Sequence, residues 1–172
     1  MCRTAIVADL NCIDSSAEPI GNEETLLRLL CSPSYYNEEH GIVNADAFDL
    51  RVLKGGSLEE FVSLARLSCF GSEEEYQQYL STAGYRIWDD KEEAEDHYYG
   101  YGIFNCADAR EVHQMVEINP LVRGKKTHVG LFYKAPQGGY YCGPLPKDNV
   151  EVLEVLSDLA DLLSVTVAPP RA

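Results

Sequence analysis

Stretches rich in β-branched and aromatic side chains alternate along this chain with stretches that carry helix-start signals, and in several places two of the first kind stand side by side. That alternation limits the fold more than any single motif does. Side chains of the first kind suit a pleated, half-buried surface, and they predict strands at 3–9 (RTAIVAD), 47–53 (AFDLRVL), 85–88 (YRIW), 101–106 (YGIFNC), 127–134 (THVGLFYK) and 139–142 (GYYC). The last two flank APQGG, which reads as a hairpin turn.

Helix starts are signalled by small polar residues followed by acids. Asn22 precedes EETLLRLLC, which puts two glutamates in a first turn and Leu26, Leu27, Leu29 and Leu30 on a broad apolar face, so a helix is expected over 23–31 until SPSYY stops it. Ser57 with Glu60, and Ser72 with Glu75, form S-x-x-E starts for two short helices separated by Gly71. Asp108 and Glu111 open AREVHQMVEI, which Asn119-Pro120 ends. Asp148 opens NVEVLEVLSDLADLL, where Val152, Val155, Leu156, Leu159, Leu162 and Leu163 recur at helical spacing, the strongest periodicity in the chain.

Neighbouring strand-type segments favour an α+β fold, with a mostly antiparallel sheet and helices on one face, over a doubly wound parallel one. Over about 47–134 the expected order is βαββαβ, with an N-terminal strand–helix unit and a C-terminal helix outside it. That order resembles the ferredoxin-like arrangement. Together with GIFNCADAREVHQMVEINPLVRG it also resembles, loosely, the YCII-related proteins, which pair as dimeric α+β barrels. The resemblance implies a homodimer. No activity is carried over, because the catalytic pair of that group has no counterpart in the first strand.

At 172 residues and 45% hydrophobic content the chain is expected to form one globular domain. No apolar run approaches the roughly 20 residues that cross a bilayer, and the amino terminus has no signal-peptide pattern, so a cytoplasmic protein is expected. The six cysteines stand singly, which suits reduced thiols, several of them in apolar segments. A zinc site could draw only on distant residues such as Cys106, His113, His128 and Cys142, so neither a metal nor another cofactor is expected.

Charge says more about partners. A formal net charge of -14 repels nucleic acid and anionic membranes within a Debye length, about 8 Å at physiological salt, so neither is expected as a partner. A basic protein partner fits the negative field, which would place the chain among regulators, inhibitors or immunity-type proteins. The surface expected to meet it is the run DDKEEAEDH with the tyrosines that follow: Asp89, Asp90, Glu92, Glu93, Glu95, Asp96, Tyr98 and Tyr99.

Against this background, Arg123, Lys125, Lys126 and Lys134 place four of the 14 basic residues within twelve positions, with His128 among them. Arg123, Lys125, Lys126 and His128 around Gly124 could hold a phosphate or carboxylate, or could pair with surplus acids of the same molecule. The spacing is not that of a Walker loop. The alternative to a partner-binding protein is therefore a small enzyme or ligand-binding domain for an anionic metabolite. His128 should share a strand face with Gly130 and Phe132, and Cys106, between a strand and a helix start, is the best-placed nucleophile.

Overall fold

The computed structural model describes residues 5–89, with Asp89 by its backbone alone, and 95–168. Strands β1 (Ile6–Ala8), β2 (Thr25–Ser32), β3 (Tyr36–Asn37), β4 (Ile42–Val43) and β5 (Val62–Arg66) precede helix α1 (Glu73–Gly84). Then come β6 (His97–Asn105), α2 (Cys106–Val112), β7 (Val116–Pro120), β8 (His128–Tyr133), β9 (Tyr140–Cys142), α3 (Val150–Asp161) and β10 (Ser164–Val167). Six strands form an antiparallel sheet in the order β10-β6-β2-β5-β8-β7, while β1 pairs with β9 and β3 with β4. The fold is α+β.

The helices are divided between the two faces of that sheet instead of gathering on one. Leu26 and Leu30 of β2, Leu64 of β5, Phe104 of β6 and Leu131 of β8 pack in one core with Ala109 of α2 and Val152, Val155, Leu156 and Leu159 of α3. Leu27 of β2, Ala65 of β5 and Tyr101 of β6 pack on the opposite side against Leu80 of α1. From β5 to β8 the order is βαβαββ, not the expected βαββαβ, and β2, from outside that segment, lies between β5 and β6.

Most differences from the expected elements follow from burial on two faces. TLLRLLCS reads as an amphipathic helix, yet it is the strand β2, whose apolar residues do not alternate because both of its faces are covered. Glu24 is not a first-turn helix acid; its carboxylate takes Arg66 Nη2 at 3.1 Å, Ser68 Oγ at 2.9 Å and Ser68 N at 3.2 Å. VSLAR, expected as a helix behind Ser57 and Glu60, is β5, with Val62 and Leu64 on one face and Ala65 on the other. VEINP, expected as the end of a helix, is the edge strand β7: Val116 and Ile118 alternate with Glu117 and Asn119, and Pro120 is tolerated at an edge.

The segment 47–53, expected as a strand, begins in the 3-10 turn Ala45–Phe48. Side chains claim two of its carbonyls, since buried Arg28 donates Nε–H to Ala47 O at 2.9 Å and the Tyr133 hydroxyl donates to Phe48 O at 2.5 Å. YRIW, also expected as a strand, continues α1 as the π-helical turn Tyr85–Asp89 and turns Tyr85 and Trp88 toward the ring of Tyr98.

Other signals hold. Ser72 caps α1 by accepting Glu75 N–H at 3.2 Å. The C-terminal helix forms, capped by Asn149, which accepts Glu151 N–H at 3.0 Å, one residue beyond the expected Asp148. Residues 134–140 make the expected turn, with Gly138 and Gly139 at φ of 97° and 72°. Strand β10 had no signal beyond SVTV, and it lands on β6 where that strand carries Gly100 and Gly102.

Candidate functional site

The outer face of α1 and the β7–β8 connection form the two walls of a cleft of about 580 Å³. Helical spacing puts Glu75, Gln78, Tyr79 and Thr82 of α1 on one wall, and the π-helical turn adds Arg86 at the end of that row. Lys125 and His128 come from the other wall.

His128 opens β8, opposite Ala65 of β5, so its side chain lies on the α1 side of the sheet with Gly130 and Phe132, as the alternation in the sequence implies. Its ring meets Phe61 edge-on at 5.9 Å, and burial pushes its pKa below the usual histidine value, which favours the neutral imidazole. Neither ring nitrogen has a hydrogen-bond partner among the described residues. Lys125 is held near by its carbonyl, which accepts His128 N–H at 2.9 Å, and the loop turns through Gly124 at a φ of 108° that a side chain would strain.

The cationic groups here outnumber the acids. Among the described residues, Arg86, Arg123, Lys125 and Lys126 make no salt bridge. Glu75, the one carboxylate on the described walls, is already engaged by Gly71 N–H at 2.8 Å. Of the four residues expected to bind an anion, Lys125 and His128 therefore reach the cleft, while Arg123 and Lys126 are exposed on the same loop outside it. Arg86 was not foreseen. Its signal was present: residues 78, 82 and 86 continue one helical row, which the strand assigned to YRIW concealed.

The acidic surface is distributed differently. Asp90, Glu92 and Glu93, and the side chain of Asp89, lie outside the described residues. Glu95 is exposed, whereas Asp96 is half-buried and accepts both Ser34 N–H (2.9 Å) and Ser34 Oγ–H (2.8 Å). Tyr98 is a core residue, 5% exposed, and Tyr99 stacks on Tyr36 with ring centroids 4.4 Å apart. A further acidic stripe appears on α3, where Glu151, Glu154, Asp158 and Asp161 are all exposed at helical spacing.

Nucleophile and base chemistry has little support elsewhere. Cys106 is the first residue of α2 but fully buried, and burial raises its thiol pKa, which outweighs any help from the helix terminus. His113 has both nitrogens occupied: Nδ1 accepts Met115 N–H at 3.0 Å, and Nε2 lies 2.5 Å from Glu151 Oε1. The described cysteines are free thiols, and no group of three or more metal-ligating side chains is found among the described residues.

Family models, curated proteins and solved structures yield no match to this chain. No helix among the described residues is long and apolar enough to cross a membrane.

Proposed function

We propose that this protein is a ligand-binding domain for a small anionic metabolite, phosphorylated or carboxylated, held in the cleft between α1 and the start of β8. One observation carries the reading: in a chain with a net charge of -14, Arg86, Lys125 and His128 converge on one concavity, make no salt bridge among the described residues, and share its described walls with a single carboxylate, Glu75. A guanidinium supplies planar donors to an oxyanion and a lysine supplies a point charge. A neutral imidazole adds a donor or an acceptor according to its tautomer. At about 580 Å³ the space falls within the range of small-molecule sites.

A π-helical turn is a rare element often found at functional positions, and here it extends α1 far enough to bring Arg86 to the cleft. Its ordinary role, a cation near the C-terminus of a helix, does not require a cleft.

A thermal-shift screen with phosphorylated and carboxylated metabolites tests this. The expected result is a rise in Tm with at least one such anion, reduced about tenfold in apparent affinity by Arg86→Gln or Lys125→Gln, each losing roughly 1.4 kcal/mol of binding. If no anion shifts Tm, or both variants respond as the parent does, the reading falls. Docking of a basic protein partner, which the stripe Glu151, Glu154, Asp158 and Asp161 on α3 favours, then takes its place.

A further inference from the structure

A second, smaller cavity of about 300 Å³ lies where the loop after β2, the 3-10 turn before Asp49 and the start of β6 meet. Groups of both charge signs line it: the guanidinium of Arg51 and the carboxylates of Asp46, Asp49 and Asp96. The rings of Tyr35 and Trp88, edge to face at 6.0 Å, supply an aromatic wall.

Most of this lining is fixed in place. Asp49 accepts Leu50 N–H at 2.9 Å and Leu145 N–H at 3.0 Å and pairs with Lys147. Asp96 is held by Ser34, and Arg51 by Glu59 through Nε at 3.3 Å and Nη2 at 3.0 Å. Of the charged lining groups, those that stay free among the described residues are Nη1 of Arg51 and the carboxylate of Asp46. Arg51, already paired with Glu59, and Asp46 thus border an aromatic-walled space with hydrogen-bonding capacity to spare, beside the carboxylates of Asp49 and Asp96.

Tyr35 lines the cavity and is 5% exposed, and its hydroxyl is buried without a hydrogen-bond partner. That hydroxyl is closed off from solvent, so Tyr35 offers the cavity its ring and not its hydroxyl.

We propose that this cavity binds a small zwitterion of the α-amino-acid type, with its carboxylate on Arg51, its ammonium on Asp46 and its side chain against Tyr35 and Trp88. Charge and size select the class. A guanidinium suits a carboxylate, a free aspartate suits an ammonium, and the pair rewards a molecule that carries both ends. A volume of about 300 Å³ sits at the bottom of the range for small-molecule sites and suits a molecule the size of an amino acid.

Isothermal titration calorimetry with the twenty standard free amino acids tests this on the unaltered protein. At least one should bind, and its N-acetyl derivative and its methyl ester should each bind about tenfold more weakly, because each removes one charged end. Asp46→Asn, which breaks no hydrogen bond of the fold, should weaken the free amino acid by a similar factor and leave the Tm of the ligand-free protein unchanged. No binding by any amino acid at about 10 mM, or equal binding of free and blocked forms, would overturn the proposal. So would full affinity in Asp46→Asn.

Discussion

Glu24 shows how one side chain sets a local structure that its neighbours in sequence misrepresent. Its position beside Glu23, ahead of a leucine-rich run, mimics a helix start, but its carboxylate is buried and bound by Ser68 and Arg66. Burial works against ionisation there, yet the hydrogen bonds from Ser68 and Arg66 outweigh it and hold the carboxyl below its ordinary pKa. A carboxyl depressed in the fold contributes stability above its unfolded pKa and loses it as pH falls through the folded one. Glu24→Gln should therefore lower unfolding stability by about 2–3 kcal/mol near neutral pH. In urea unfolding, the deficit should narrow as pH drops below the ordinary carboxylate range. A deficit that is the same at every pH would contradict this account of Glu24.

At the scale of elements, capping was legible and strand placement was only partly so. Ser72 and Glu75 announce α1 because a cap is a local contact, written within four residues. The strand β2 is not local. Its leucines serve two cores at once, so the run lacks the alternation by which a half-buried strand is read, and only its neighbours β5 and β6 decide its state. The pair Gly100 and Gly102, which resembles a fragment of a phosphate loop, belongs to packing: a Cβ at Gly100 would lie 2.0 Å from Thr166 O, and one at Gly102 would meet Leu163 at 2.8 Å. Gly100→Ala should accordingly displace β10, cost about 2–3 kcal/mol in unfolding free energy and expose the β10 amides to hydrogen exchange. Unchanged exchange in Ser164–Val167 would show that the close approach is not required.

For the whole molecule, the class of fold followed from segment types, but the order of strands and the two-sided helix layer did not, because both depend on contacts between distant segments. The cleft was legible in the same partial way. Lys125 and His128 stand close together in sequence and could be named, whereas Arg86 joins them only through packing of α1. The central claim is that a chain with a net charge of -14 nonetheless gathers a cationic concavity around His128. The most direct test is an NMR titration of the His128 ring, with and without sulfate. Without the anion, His128 should titrate below the ordinary histidine value, since burial favours its neutral form. With sulfate, which keeps its charge across that range, the apparent pKa of His128 should rise by about half a unit or more, because a bound anion stabilises the imidazolium. A His128 titration that sulfate leaves unchanged would contradict the account.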